Sequence, residues 1–162
     1  MIAFQGVYRI YNSHSVALED VNFQINPGEF VSLVGKSGAG KSTIIRLLIG
    51  EEKPTKGRVF FGQYEVNKLR DKDLPSFRRH IGVIFQDFRL LPNKNAYENV
   101  AFALEVAGRA QKEIAELTPQ VLDMVGLSNK LVNFPHELSG GEKQRVAIAR
   151  AMVHRPEVII AD

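Results

Sequence analysis

Phe30-Val31-Ser32-Leu33-Val34-Gly35-Lys36-Ser37-Gly38-Ala39-Gly40-Lys41-Ser42-Thr43-Ile44-Ile45-Arg46-Leu47-Leu48 is the stretch on which the fold turns. An apolar run of strand length leads straight into a G-x-x-x-x-G-K-S loop, and apolar residues at helical spacing follow without a break. Phe30 to Val34 predicts a buried strand, and Ile44, Ile45, Leu47 and Leu48 predict a helix. Strand, glycine loop and helix are together the setting in which such a loop holds phosphate. A triphosphate needs donors that approach closely with no side chain in the way. Glycines at 35, 38 and 40 therefore allow a tight turn whose backbone N–H groups, leading into a helix N-terminus, face the phosphate oxygens. Lys36, Ser37 and Ala39 complete the loop. Lys41 is expected to set its ammonium against the β and γ phosphates, Ser42 to ligate Mg²⁺ through its hydroxyl, and Thr43 to add a hydroxyl near the α phosphate. Asn93-Lys94-Asn95-Ala96 lacks the Asp of an N-K-x-D guanine reader, so the base is read in another way.

On the N-terminal side, Ala3 to Tyr11 and Ala17 to Ile25 read as strands, the second with Val21, Phe23 and Ile25 alternating with polar neighbours. Asn26-Pro27-Gly28 is a turn. On the C-terminal side, Pro54-Thr55-Lys56-Gly57 closes the helix and leads to a short strand, Arg58 to Phe61, then a helix at Leu74 to Arg79. Ile81 to Phe85 reads as a second buried strand ending at Gln86. From Asn95 to about Asn129 the pattern is helical, with Tyr97, Val100, Ala101 and Leu104 on one face and Val121, Leu122 and Val125 on another. Thr118-Pro119 predicts a new helix start as N-cap and first turn, a kinked longer helix being the alternative. Ser139 and Glu142 form an S-x-x-E capping box that opens a helix to about His154, stopped by Arg155-Pro156, and Val158 to Ala161 reads as another buried strand before Asp162.

Composition sets looser bounds. The chain has 162 residues, is 44% hydrophobic and carries no cysteine, which fits one globular domain or part of one and excludes disulfides and thiolate metal sites. The N-terminus lacks the basic, apolar, small-residue order of a signal peptide, and the longest apolar runs, Ile44 to Gly50 and Val158 to Ala161, are too short to span a bilayer. A soluble or membrane-peripheral chain is expected. The formal charge is +3, and the basic stretch from Lys68 through Arg78 and Arg79 is diluted by Asp71 and Asp73; a solvated face is the expectation, with no nucleic-acid partner. His14, His80, His136 and His154 lack a partner pattern and read as ordinary residues.

Leu138-Ser139-Gly140-Gly141-Glu142-Lys143-Gln144-Arg145, downstream of the phosphate loop, resembles the signature of the ABC ATPases. The resemblance covers essentially the whole chain in the right order. It implies an α/β P-loop NTPase fold with an N-terminal antiparallel β subdomain, residues 1–94 and 139–162 as the ATP-binding core and about 95–138 as an inserted helical subdomain, the C-terminal part being missing. It assigns Tyr11 to stacking on adenine, Gln86 to the glutamine loop, and Asp162 to Mg²⁺ through water, with Gln86 also supporting the metal and the chemistry. Within the family, Phe85-Gln86-Asp87-Phe88-Arg89-Leu90-Leu91 and Tyr97-Glu98-Asn99-Val100-Ala101-Phe102-Ala103-Leu104 resemble the FtsE-type branch of bacterial cell division; exporters of lipoproteins or macrolides, which share most motifs, are the alternative.

The resemblance further implies two chains paired head to tail, so that Ser139, Gly140 and Gly141 of one close over the γ-phosphate held by Lys41 and Ser42 of the other. It implies ATP and Mg²⁺ as cofactors, an FtsX-like transmembrane partner docking beside Phe85, Phe88, Leu90 and Leu91, and a peripheral place on the cytoplasmic face of the bacterial inner membrane. The family's general base is a Glu just after the residue matching Asp162, so no catalytic carboxylate is expected within these 162 residues and hydrolysis is expected to be impaired. Two other classes stay open: a DNA-repair ATPase, which would carry a long coiled coil where this chain has about a hundred residues without sustained heptads, and a binding module that uses ATP only to control dimerisation.

Overall fold

The computed structural model describes residues 1–12 and 15–162; His14 lies outside the described residues. The chain divides into two compact units, Met1–Ser76 and Phe77–Asp162.

In the first unit, β1 (Ile2–Asn12) and β2 (Ser15–Ile25) pair antiparallel, and β1 pairs on its other side with β3 (Lys56–Phe61), which carries the two-residue β4 (Tyr64–Glu65). The order is β2-β1-β3-β4. Ile2, Phe4 and Val7 of β1 and Val59 and Phe61 of β3 are buried, and Phe4 stacks on Phe23 across the β1–β2 pair with ring centroids 4.6 Å apart. Such cross-strand aromatic pairs are the unit from which an antiparallel sheet draws stability. The helix α1 (Lys41–Leu48) follows the glycine loop as expected and buries Ile45, Leu47 and Leu48.

The run before that loop differs from expectation. Phe30 to Val34 forms no strand, and Phe30 and Val34 are 98% and 89% exposed. The reason is the absence of a neighbour among the described residues: a parallel-type strand has its N–H and C=O groups satisfied only by strands at its flanks, and among the described residues the sheet of this unit contains β1 to β4 alone.

The short helix α2 (Leu74–Arg78) spans the division, and in the second unit β5 (Ile81–Ile84) pairs in parallel with β6 (Val158–Ala161). Both strands fall where the sequence put them, but β6 is half-buried rather than buried, with Ile159 49% exposed, because among the described residues only one of its edges is paired. Gly82 lets α5 (Gly140–Met152) lie close against β5: a Cβ there would collide with the Ala151 carbonyl and the Pro156 ring. Between the strands, α3 (Ala96–Val106), α4 (Gln111–Met124) and α5 enclose one apolar cluster that includes Val100, Leu104, Ile114, Leu122, Val146 and Ala149.

Thr118-Pro119 does not start a helix. Pro119 sits inside α4, and Thr118 is fully buried with its hydroxyl unpartnered among the described residues. A proline inside a helix forfeits a backbone hydrogen bond, but Ile114, Thr118 and Leu122 form a buried i, i+4, i+8 stripe that spans it, and packing of that stripe outweighs local propensity. No helix among the described residues is long and apolar enough to cross a membrane.

Candidate functional site

The phosphate loop is built in the first unit. Gly40 is the N-cap of α1 in a left-handed conformation, φ 86°, and a Cβ at this position would lie 2.5 Å from the Ala17 carbonyl oxygen and 2.7 Å from Leu18 Cδ2. Both the backbone and the space therefore require glycine. With no side chain at the N-cap and no acidic residue in the first turn, α1 presents a helix N-terminus without a built-in anion, which is the electrostatic setting for a phosphate. Lys41 folds back over the loop, its Nζ donating at 2.9 Å to the carbonyls of both Gly35 and Lys36. The ammonium thus closes the ring of residues 35 to 41 from within. Gly35, Lys36, Ser37, Gly38 and Ala39 are exposed, Ser42 is half-buried, and Thr43 is buried at 8% exposure.

Tyr11, next to the last residue of β1, is 44% exposed and its hydroxyl donates to Glu52 at 2.8 Å. Glu52 also accepts from Arg9 Nε at 2.9 Å and faces Arg46 of α1 at 3.5 Å, while the Arg9 guanidinium lies 4.6 Å from the centre of the Tyr11 ring. Burial works to raise the Glu52 pKa, but the hydrogen bonds and charges from Tyr11, Arg9 and Arg46 outweigh it and hold the carboxyl below its ordinary value. The ring proposed to meet the base is thus pinned at its hydroxyl and covered on one face by a guanidinium, a cation–π arrangement. Glu52 carries no sequence signal for this role, since its partner is 41 positions away.

The second unit holds the other predicted residues. Gln86 is exposed just beyond β5, and the Asp162 N–H donates to the Ile84 carbonyl at 2.9 Å at the end of β6. Gln86 and Asp162 accordingly leave the same, C-terminal end of two adjacent parallel strands, the edge where α/β sheets collect their ligands. Ser139 caps α5: its N–H and hydroxyl both donate to Glu142 Oε2 at 2.8 Å, and the Glu142 N–H returns to its Oγ at 3.3 Å. Glu142 also faces Lys130 at 3.3 Å. The Ser139 backbone and side-chain hydrogen bonds, then Lys130, pull the Glu142 pKa to about 2. Gly140 and Gly141 are exposed, and a Cβ at Gly140 would meet nothing within 4 Å. Packing within the chain gives no reason for that glycine.

The histidines behave variously. His80 contacts Glu157 at 2.8 Å, His136 stacks on Phe134, and burial pushes the His154 imidazole below its ordinary value.

Residues 18–162 match the family model of the ABC transporter ATPase domain. Along its whole length the chain is 53% identical to the cell division ATP-binding protein FtsE of Mycobacterium tuberculosis and 49% identical to that of Bacillus subtilis, spanning 71% of each. Among solved structures it superposes over its full length, with a TM-score of 0.93 and 38% identity, on 73% of the ATP-binding cassette MJ0796 in a dimeric post-hydrolysis state bound to ADP and Pi. With the phosphate loop, Gln86, the capped signature helix and Asp162 following one another in this order, the chain belongs to the ABC transporter ATPase family, among its FtsE-like members.

Proposed function

We propose that this chain is the ATP-binding part of a bacterial cell-division complex, acting peripherally at the cytoplasmic face of the inner membrane with an FtsX-like transmembrane partner. The relatives named above support the cell-division assignment. Two copies would bind ATP between them, Gly35 to Thr43 and Tyr11 of one copy facing Ser139, Gly140 and Gly141 of the other. The observation that carries this arrangement is the unfilled space at Gly140, which leaves room for another group to come close to the backbone at the start of α5.

The residues present fit Mg²⁺. The Ser42 hydroxyl of the first unit, and the Gln86 amide and Asp162 carboxylate of the second, are each the kind of oxygen donor taken by a hard cation that keeps waters and shares its ligands with substrate phosphates. Bound there, the metal would neutralise phosphate charge. Lys41 would exchange its two neutral carbonyl acceptors for phosphate oxygens, so that the ammonium meets an opposite charge. Tyr11 would offer adenine the ring face that Arg9 leaves open.

Turnover also needs a group to position water in line with the γ-phosphate. We place that group on a Glu following Asp162, so that residues 1–162 carry the binding determinants and hydrolyse poorly alone. Binding of a fluorescent ATP analogue, lost on Lys41→Ala, tests the first part. ATP turnover by the 162-residue chain that is abolished by Lys41→Ala would overturn the second.

A further inference from the structure

The loop that follows β5 holds two consecutive non-glycine residues in the left-handed region, Phe88 at φ 60° and Arg89 at φ 44°. L side chains rarely adopt this conformation, and a bulky residue there needs surroundings that over-determine it. Part of those surroundings is local, the Phe88 and Arg89 N–H groups donating to the Phe85 and Asp87 carbonyls, and part comes from α5. Arg150, in its last turn, sends Nη2 to the Phe88 carbonyl and Nη1 to the Arg89 carbonyl, both at 2.7 Å. The fork of a guanidinium matches two successive carbonyls as no other side chain can. Its partners are these carbonyls, with no carboxylate against it among the described residues, and burial pulls its pKa below the ordinary value. A charge placed in that setting is held by the loop and holds the loop.

Further along, Asn99 of α3, fully buried, donates to the carbonyls of Leu91, Lys94 and Asn95 and accepts from the Leu91 N–H at 2.8 Å. The segment between Gln86 and Lys94 is therefore fixed at two points, by α5 near Gln86 and by α3 beyond it. The same α5 carries Ser139 at its opposite end, and a helix of 13 residues is a rod about 20 Å long.

We propose that Arg150 is a positioning residue that ties the glutamine loop to the signature helix, so that displacement of α5 at Ser139 is delivered as displacement of Gln86 and the Phe88–Leu91 segment. This rests on the ATP-dependent reading above. The Phe88–Arg89 pair is the element expected to relax when the tie is cut, since both of its carbonyls accept from Arg150.

The test uses Arg150→Lys and Arg150→Ala in the full-length gene product. Affinity for a fluorescent ATP analogue is expected to stay within about twofold, while kcat falls about tenfold or more at nearly unchanged KM, as for a misplaced group that acts in the transition state. Tryptic cleavage after Arg89 is expected to accelerate about tenfold as the loop opens locally. Adding Phe88→Gly to Arg150→Ala should recover several-fold of the lost kcat, since glycine takes the left-handed conformation without strain. Wild-type kcat and cleavage in both Arg150 variants, a parallel loss of nucleotide affinity, or no recovery with glycine would each overturn the proposal. A wild-type protein whose turnover is indifferent to Lys41→Ala would instead sink the ATPase reading, and the cleavage rates would still judge the Arg150 tie.

Discussion

Gly140→Ala separates the two reasons a glycine can be present. In the structure a Cβ at this position meets no heavy atom within 4 Å, and Gly140 is the first residue of α5. Alanine is favoured over glycine by about 0.5–1 kcal/mol inside a helix, and by less in the first turn. For a domain of this size that corresponds to an unchanged or slightly higher melting temperature, by about 1–2 °C. The effect on assembly has the opposite sign. A methyl inserted into a close-packed contact costs about 1–3 kcal/mol, which weakens ATP-dependent dimerisation by roughly 5- to 150-fold. Sedimentation with and without Mg²⁺-ATP, beside thermal denaturation of the monomer, measures both quantities. Gly40→Ala is the contrast: its Cβ would lie 2.5 Å from the Ala17 carbonyl oxygen at φ +86°, so it should lower the melting temperature and abolish nucleotide binding by the monomer. A Gly140→Ala chain that dimerises on ATP like wild type would refute the idea that this face meets the other subunit's phosphate, and a lowered melting temperature would make the glycine structural after all.

Tyr11→Phe and Glu52→Gln should each weaken ATP several-fold yet leave inorganic tripolyphosphate untouched. In a double-mutant cycle they should couple by about 1 kcal/mol, the worth of one hydrogen bond; equal losses on tripolyphosphate would remove Glu52 from the base platform. The depressed Glu142 carboxyl predicts an acid-sensitive signature helix. A folded-state pKa of about 2 against an ordinary 4.5 contributes stability that is fully present above 4.5 and is lost as pH falls toward 2. Glu142→Gln should flatten that part of a melting-temperature profile between pH 5 and 2, and an unchanged profile would count against the Ser139–Glu142 pair as its source.

Local signals were the legible ones. Ser139 and Glu142 announce their cap by spacing alone, and the structure forms both halves of it. The strand β5, one residue shorter than the apolar run Ile81 to Phe85, and the helix faces of α3 follow from apolar patterning, because burial is what that pattern encodes. Asn95 and Glu98 form a second capping box by the same N-x-x-E spacing, a signal that the helical reading of this region passed over. Contacts between distant positions were not legible. Glu52 reaches Tyr11 across 41 positions and Arg150 reaches Arg89 across 61, and neither residue belongs to a local pattern that names its partner. The left-handed backbone at Phe88 and Arg89 is hidden for the same reason, since tertiary hydrogen bonds impose it against residue preference.

Phe30 to Val34 makes the sharpest case of a pattern that reads what residues favour rather than what neighbours supply. An antiparallel strand can be completed by a close neighbour in sequence, and β1 pairs with β2 within the first 25 residues. A parallel strand needs a partner delivered by a crossover of a dozen or more residues. β5 obtains one such partner from β6 through more than 70 intervening residues, and Ile159 on β6 is still 49% exposed. Phe30 and Val34 obtain none from the sheet of their unit. The phosphate loop nevertheless keeps its left-handed glycines and its Lys41 closure, because those are fixed by contacts inside residues 17 to 44. Nucleotide affinity at Lys41 should therefore depend on the loop and α1, whereas the rigidity with which the loop is carried depends on whatever pairs with Phe30 to Val34. Hydrogen exchange of the Val31 to Val34 amides reads this directly: fast exchange in residues 1–162 beside slow exchange of the Phe4 and Val59 amides is the expected outcome, and protection at Val31 to Val34 equal to that of β1 would contradict the account.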